Sequence, residues 1–274
     1  MKISVVTASY NYQDYIKETI QSVLDQTYND WELIIVDDCS TDNSVDVIKS
    51  FNDERIKLFI NEKNLGLAQT VKRGVEYATG EWIVFLESDD LITPDNIEKK
   101  VQIIKKYSDL NLIFNDCEFF GDKNKVKDFS IALKKTRILL KNKNYPTKMF
   151  YNFYLSNKIF TFSSVMAKRE DLLNISYNPP IDSLLDWWLW VQLAYIGNFY
   201  YIPEKLTKWR LHKNSYIESS NNISLNKIHN EMYYRMFKKY KKIKILIFIP
   251  FAQIIWGLQQ AKKFLTKLIF NKRK

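Results

Sequence analysis

Two apolar runs that end abruptly in carboxylates constrain the fold of this chain more than any other feature of its sequence. Leu33 to Val36 is followed directly by Asp37 and Asp38, and Trp82 to Leu86 is followed by an acidic turn that starts at Glu87. Short runs of this kind are typical of strands buried on both faces in a parallel sheet. Ligands bind outside the carboxyl ends of such strands, so the two acidic ends predict one functional edge.

Strand-like and helix-like segments alternate over the first hundred residues, which predicts an α/β fold with a mainly parallel sheet flanked by helices. The predicted strands are Ile3–Thr7, Trp31–Asp38, Arg55–Ile60 and Glu81–Leu86. The predicted helices are Asp14–Gln26, Val45–Phe51, a helix that follows Gly66 and ends near Tyr77, and one that starts at Thr93 with Pro94 in its first turn.

The segments after residue 110 have weaker patterns. We expect strands at Leu112–Phe114, Phe199–Ile202 and Leu206–Leu211, a loop with some helix over Gly121–Lys143, and a basic helix over Asn226–Lys242. The domain prediction is one catalytic unit over residues 1–220 and a basic, amphipathic helical tail over residues 221–274.

Charge is distributed unevenly along the chain. Residues 1–120 carry 12 basic and 22 acidic side chains, whereas residues 121–274 carry 29 and 9, and the total net charge is +10. The basic half could bind anionic lipid, a nucleic acid or a phosphorylated substrate, or could be a solvated tail. The apolar run Ile245–Leu258 is shorter than the roughly 20 residues that span a bilayer. Its lysine-rich flanks suggest a helix in the membrane interface, the alternative being a helix packed on the domain or on a partner subunit.

The expected location is the cytoplasm, at the inner face of the cell membrane. The two cysteines, Cys39 and Cys117, show no metal or disulfide spacing, which fits a reducing compartment. The sequence from Met1 to Val6 lacks the pattern of a signal peptide.

Four motifs in order and spacing give the chain a resemblance to a known family. The motifs are Val5–Asn11, Ile34–Asp42, Asn64–Gly66 and Gly80–Asp90. Together they resemble the family 2 glycosyltransferases with the GT-A fold. The resemblance implies inverting transfer of one sugar from a nucleotide-sugar, usually a UDP-sugar, to a saccharide or lipid-linked acceptor, as in surface polysaccharide biosynthesis. It also implies a nucleotide-sugar-binding half over residues 1–110 and an acceptor half over residues 111–220.

The resemblance assigns the nucleoside contacts to the loops after the first two strands. Thr7 and Ser9 correspond to the nucleoside loop, where small hydroxyl groups can bind a base edge without crowding it. Asp38 matches a carboxylate that accepts a hydrogen bond from the imide of uracil. Asp89 is predicted to contact the nucleotide as well as the metal.

The acidic turn matches the metal motif of the family. Asp89 and Asp90, with His212 as a further ligand, are predicted to hold Mn²⁺ or Mg²⁺ against the diphosphate. Glu87 stands where an Asp is more usual and is expected to contact the metal through water or the donor sugar. Arg210 is expected to grip phosphate.

Asp186 resembles the catalytic base of the family, which removes the proton of the acceptor hydroxyl. Trp187 and Trp188 are expected to form a wall on which the acceptor sugar stacks. The sequence departs from the family pattern at Leu185, where an acid is common, and at Ala8 and Val71, where Pro and Arg are common.

Two other functions remain open from the residues alone. A nucleotidyltransferase also uses carboxylates on an α/β sheet, but it favours a glycine-rich, basic first loop, and Thr7–Asn11 has neither feature. A non-catalytic nucleotide-sugar-binding module is the other alternative. No nucleic-acid-binding motif is recognisable, and no nucleic acid partner is expected.

Overall fold

The computed structural model describes residues 1–180, 182–212 and 225–240. The chain divides into two units, Met1–Glu218 and Ser219–Lys274, and each is described by itself. The described part of the second unit is helix Leu225–Tyr240, close to the predicted helix 226–242. The predicted interfacial run 245–258 lies outside the described residues. No helix within the described ranges is long and apolar enough to cross a membrane.

One mixed sheet forms the centre of the first unit. Its strands are β1 (Ile3–Ser9), β2 (Trp31–Asp37), β3 (Ile56–Ile60), β4 (Trp82–Phe85), β5 (Leu91–Ile92), β6 (Leu110–Gly121), β7 (Val165–Lys168) and β8 (Asn198–Leu211). The strand order is β3-β2-β1-β4-β7-β6-β8-β5. The first four strands of this order are mutually parallel, as are β6 and β8, while β7 pairs antiparallel with both of its neighbours and β5 antiparallel with β8.

Helices surround this sheet. They are α1 (Ile16–Leu24), α2 (Ser44–Lys49), α3 (Leu67–Tyr77), α4 (Asn96–Lys106), α5 (Lys123–Lys141), α6 (Phe150–Leu155), α7 (Arg169–Leu173) and α8 (Leu185–Ile196). Every residue of β2 is buried, as the apolar pattern of its sequence predicts. Helix α1 buries its regularly spaced apolar residues, so the observed alternation confirms the predicted α/β architecture.

Two glycines allow α3 and the turn after it to approach β1 closely. A Cβ atom added at Gly74 would lie 2.5 Å from Val6 Cγ1. One added at Gly80 would lie 2.6 Å from the main-chain nitrogen of Ser4, and the amide of Gly80 donates to Ser4 Oγ at 2.8 Å. Gly80 therefore serves a close backbone approach rather than the helix end, which falls at Ala78.

Three predictions of secondary structure need correction. The segment 121–143, predicted as a loop with some helix, is mostly the 19-residue helix α5, whose first amides are capped by the Asp122 carboxylate. The two predicted strands 199–202 and 206–211 form the single strand β8, because the interruption at Pro203 and Glu204 is an irregularity in its pairing with β6. Pro94 precedes the N-cap Asp95 of α4 instead of lying in its first turn.

Candidate active site

A cavity of about 570 Å³ opens at the carboxyl ends of β1, β2 and β4. Its wall comes from the loop after β1, from the start of α3, from the turn after β4 and from two residues distant in sequence, Phe162 and His212. This is the edge at which the sequence places the functional residues, and the volume suits a small organic ligand.

Three carboxylates gather in the turn that follows β4. Glu87, Asp89 and Asp90 each offer an oxygen, and these oxygens all lie within 4.8 Å of one another. Burial, followed by the charge of Asp89, raises the pKa of Asp90 to about 8. Burial and the neighbouring acids also raise the pKa of Glu87 well above its ordinary value. Such mutual repulsion is relieved by a cation, and an all-oxygen cluster suits Mg²⁺ or Mn²⁺.

Two hydroxyl groups from a later segment hold these carboxylates in place. Ser163 Oγ donates to Asp90 Oδ2 at 2.6 Å and accepts a hydrogen bond from the Glu87 amide at 2.9 Å. Thr161 Oγ1 lies 3.1 Å from Asp90 Oδ2 and 3.2 Å from Glu87 Oε2. The main chain contributes as well, because the amide of Arg210 donates to Asp90 Oδ1 at 2.9 Å.

Thr161 and Ser163 are site residues that the sequence analysis missed. The only local signal is the hydroxyl-rich stretch Thr161–Ser164, because the partners lie more than 70 positions earlier in the chain. Thr19 was missed for the same reason; its hydroxyl donates to the carbonyls of Ser88 and Asp90 and so fixes the acidic turn from α1.

His212 and Arg210 reach the acidic turn from the end of β8. His212 Nε2 lies 2.9 Å from Asp89 Oδ2, and the imidazole packs against the Tyr15 ring at 4.6 Å between centroids. Arg210 Nε donates to the Asp89 carbonyl at 2.7 Å, and its terminal nitrogen donates to Glu18 Oε2 at 2.7 Å. The Arg210 guanidinium thus has protein partners in this structure, and its contact with phosphate stays a prediction.

Asp186 lies in the first turn of α8, and both of its oxygens accept hydrogen bonds. Asn157 Nδ2 donates to Oδ2 at 2.6 Å, and the Trp187 amide donates to Oδ1 at 2.6 Å. Burial raises the pKa of Asp186 to about 6, although the two hydrogen bonds favour the ionised form. The charge of Asp186 contributes to the raised pKa of Glu87, so the predicted base and the acidic turn share one electrostatic environment.

The two tryptophans next to Asp186 require a correction. Trp187 is 6% exposed and its indole nitrogen donates to the Phe153 carbonyl at 2.6 Å, while Trp188 is 2% exposed. Both rings belong to the core between α8 and its neighbours. A buried ring offers no face to a sugar, so these residues do not form the predicted stacking wall.

The predicted nucleoside residues differ in their placement. Ser9 lines the cavity, and its hydroxyl group has no hydrogen-bond partner among the residues that the structure describes. Thr7 is buried within β1 and does not line the cavity. Asp38 lines it, and its carboxylate accepts hydrogen bonds from Asn61 Nδ2 at 2.7 Å and from the amides of Leu65 and Gly66 at 2.8 and 2.9 Å. Asp38 therefore positions the turn that opens α3.

The loops after β1 and β2 are tied together at the cavity. Asn11 and Cys39 adopt left-handed backbone conformations with φ of 60° and 65°, which is uncommon outside glycine. Asn11 Oδ1 accepts a hydrogen bond from the main-chain amide of Thr41 at 2.8 Å, and the main-chain amide of Asn11 donates to Ser40 Oγ at 2.9 Å. These bonds offset the backbone strain and fix the cavity wall.

Residues 4–164 match the family described as Glycosyl transferase family 2, and this match covers more than half of the chain. The chain belongs to glycosyl transferase family 2. Named relatives agree with this assignment. The transferase is 35% identical over 216 residues to the putative teichuronic acid biosynthesis glycosyltransferase TuaG of Bacillus subtilis (strain 168), which covers 78% of this chain and 80% of that protein.

A second relative is the Escherichia coli enzyme named UDP-Glc:alpha-D-GlcNAc-diphosphoundecaprenol beta-1,3-glucosyltransferase WfgD. The transferase is 31% identical to it over 196 residues, which covers 72% of this chain and 71% of that protein. The prediction of a glycosyltransferase is confirmed.

Solved structures show the same fold at low sequence identity. S. aureus TarS 1–349 in complex with UDP-GlcNAc superposes with a TM-score of 0.66 at 18% identity, covering 86% of this chain and 67% of that chain. The mannosyltransferase PcManGT from Pyrobaculum calidifontis, in complex with GDP-Man and Mn²⁺, gives 0.62 at 17% identity, covering 92% and 68%. The predicted GT-A fold of the transferase is thereby confirmed.

Proposed function

We propose that this transferase moves one sugar from a UDP-sugar to a hydroxyl group of a saccharide or lipid-linked acceptor, with inversion and with dependence on Mn²⁺ or Mg²⁺. The observation that carries the proposal is the cluster of three carboxylates beside a cavity of about 570 Å³ at the carboxyl edge of the sheet. The names of WfgD and the TarS complex support UDP as the carrier, and the name of TuaG supports a role in surface polysaccharide biosynthesis.

Asp89 and Asp90 would hold the metal ion, with Glu87 and His212 beside them. A divalent cation bound there supplies positive charge against the diphosphate that leaves as the sugar departs. The hydroxyl groups of Thr161 and Ser163 keep the carboxylates oriented. Ser9 and Asp38 face the part of the cavity where we place the nucleoside.

Asp186 acts as the general base of the proposed reaction. The acceptor hydroxyl loses its proton to an Asp186 oxygen while its own oxygen bonds to the anomeric carbon of the donor sugar. The bond from that carbon to the diphosphate oxygen breaks at the same time, and the electron pair leaves with the nucleoside diphosphate. One displacement from the opposite side inverts the anomeric configuration.

The proposed location is the inner face of the cell membrane, where a lipid-linked acceptor would be met. The name of WfgD, which includes diphosphoundecaprenol, supports such an acceptor. The predicted membrane contact of the tail falls mostly on residues outside the described ranges and stays a prediction.

Calorimetry of UDP binding tests the donor half of this proposal. We expect UDP to bind in the presence of Mn²⁺ and to bind at least tenfold more weakly after EDTA treatment or in the Asp90→Asn variant. The matched control is Asp25→Asn, because Asp25 is exposed and lies outside the cavity, and this variant should bind like the native chain. Equal binding with and without metal would exclude the metal-dependent site, and preference for GDP would exclude UDP as the carrier.

A further inference from the structure

Helix α5 presents a face to solvent on which isoleucine and lysine alternate. Lys127, Ile131, Lys134, Ile138 and Lys141 follow one another at spacings of four and three residues, which places them along one stripe of a helix. Ile131 is 65% exposed and Ile138 is 53% exposed, and the lysines of the stripe are exposed as well. We call this stripe the outer face of α5.

The opposite side of α5 is fixed to the sheet, so the orientation of the outer face is set by packing. Phe129 packs edge-on against Trp209 at 5.2 Å between ring centroids. Arg137 Nε donates to Asp116 Oδ1 at 2.9 Å, and Leu140 is fully buried. The exposed isoleucines therefore cannot turn inward without loss of these contacts.

The chemistry of the outer face selects its occupant. Two exposed isoleucines in a row of lysines are complementary to a partner that is apolar at its centre and anionic at its border. Lys135 adds a further exposed cation beside the stripe, and the stripe also has an acidic neighbour in Asp128. Because four exposed lysines outweigh this one carboxylate, the surface is strongly positive. A nucleic acid would pair with the lysines and leave the isoleucines in water. An anionic lipid bilayer satisfies both groups, since acyl chains take the isoleucines and headgroups take the lysines.

We propose that the outer face of α5 binds the surface of an anionic lipid bilayer. The start of the same helix adjoins the acidic turn, because Lys125 Nζ donates to the His212 carbonyl at 3.1 Å and His212 contacts Asp89. Bilayer binding here would bring the active site next to the membrane. The functional role of this bilayer binding rests on the proposed function, since a lipid-linked acceptor would be presented from the membrane surface. The binding itself can be tested without sugar transfer.

Vesicle sedimentation of the full chain tests the proposal. We expect partition onto vesicles that contain phosphatidylglycerol, and at least tenfold weaker partition onto pure phosphatidylcholine. The variant Ile131→Glu/Ile138→Glu should lose at least tenfold in partition onto the anionic vesicles. The control Ile60→Glu/Leu173→Glu places the same charges at residues that are 48% and 44% exposed elsewhere, and it should partition like the native chain. Unchanged partition of the α5 variant would overturn the proposal.

A site-specific probe separates α5 from any contribution of the basic tail. An environment-sensitive dye on Ile131→Cys, in a Cys39→Ser background, should shift to shorter emission wavelength with phosphatidylglycerol vesicles. The same dye on Leu173→Cys should not shift. Absence of a shift at position 131 would overturn the proposal even if the chain still sediments. The Ile131→Glu/Ile138→Glu variant should retain metal-dependent UDP binding, so failure of UDP binding in the native chain would contradict the proposed function separately.

Discussion

At the scale of single residues, the balance around Asp186 decides how this side chain can act. Burial favours the neutral acid, whereas the hydrogen bonds from Trp187 and Asn157 favour the carboxylate. The resulting pKa of about 6 leaves the group ionised near neutral pH but more basic than an exposed aspartate. That is the range in which a carboxylate is an effective general base.

We predict that transfer falls as pH decreases through about 6, because protonated Asp186 cannot accept the acceptor proton. Asn157→Ala removes a bond to the ionised form, so it should raise the pKa and move this limb of the kcat profile to higher pH. The control Asn124→Ala alters an exposed residue of α5 and should leave the limb in place.

Asp186→Asn should lower kcat by about 10² or more while UDP still binds. Full activity of that variant would exclude Asp186 as the base.

The residue scale also shows what the sequence can reveal about a site. The clustering of Asp89 and Asp90 at the carboxyl edge of the sheet was predictable, because a carboxylate at the end of a buried strand has few competing explanations. The role of Asp186 stays a prediction. Thr161 and Ser163 were not predictable, since a hydroxyl group acquires its role from a carboxylate that only the fold brings near. The buried position of Trp188 was also invisible to local sequence.

At the scale of elements, prediction succeeded where the local pattern and burial agree. β2 is wholly buried around its apolar run Leu33–Val36, and α3 follows its turn as expected. The extent of α5 was underestimated, because its lysines and exposed isoleucines obscure the helical spacing of the residues that pack inward. Prediction failed for β8 because Pro203 and Glu204 resemble a strand end, whereas pairing with the long β6 carries the strand through.

The packing of α3 on β1 gives a prediction at this scale. Gly74→Ala should destabilise the fold by about 1–3 kcal/mol despite the better helix propensity of alanine, since the new methyl group overlaps Val6 Cγ1. Val6→Ala removes that atom and should itself cost about 1 kcal/mol or more. In urea unfolding, the double variant should lose clearly less free energy of unfolding than the two single variants lose in sum. Simple additivity would show that the contact does not limit the approach of the helix.

At the scale of the whole molecule, a buried carboxylate joins four separate segments. Glu32 Oε1 accepts hydrogen bonds from Ser4 Oγ at 2.7 Å and from the Thr79 amide at 2.7 Å, and Oε2 pairs with Lys57 at 2.8 Å and Lys2 at 3.0 Å. Burial tends to raise the pKa of Glu32, but the bonds from Lys57, Thr79 and Ser4 outweigh it and hold the pKa well below its ordinary value. The ionised side chain therefore stabilises the sheet at the amino ends of β1, β2 and β3.

We predict that Glu32→Gln lowers the free energy of unfolding by about 2 kcal/mol at pH 7, because the single amide oxygen of glutamine cannot accept from Ser4 and Thr79 and also pair with Lys57 and Lys2. The control Glu76→Gln breaks an exposed pair with Lys72 and should change it by less than about 0.5 kcal/mol. A carboxylate with a depressed pKa stabilises fully above its unfolded pKa, near 4.3, and loses this contribution progressively as pH falls toward its folded pKa. The difference between the native and Glu32→Gln chains should therefore shrink as pH falls below about 4. Urea titrations at pH 7 and below pH 4 measure this difference in the free energy of unfolding. A difference that stays constant would contradict the depressed pKa of Glu32.

The acidic turn is held by partners from two later segments of the chain, and this limits which parts of the chain can be exchanged between family members. Glu87, Asp89 and Asp90 follow β4, yet their carboxylates are held by Thr161, Ser163 and the main chain of Arg210. A chimera that joins residues 1–110 of this chain to the remainder of a relative would separate the carboxylates from the hydroxyl groups that hold them in this chain. A chimera designed to change acceptor specificity should therefore take only the segment between β6 and Thr161 from the relative. Residues 161–164 and 210–212 should come from the same chain as residues 1–110.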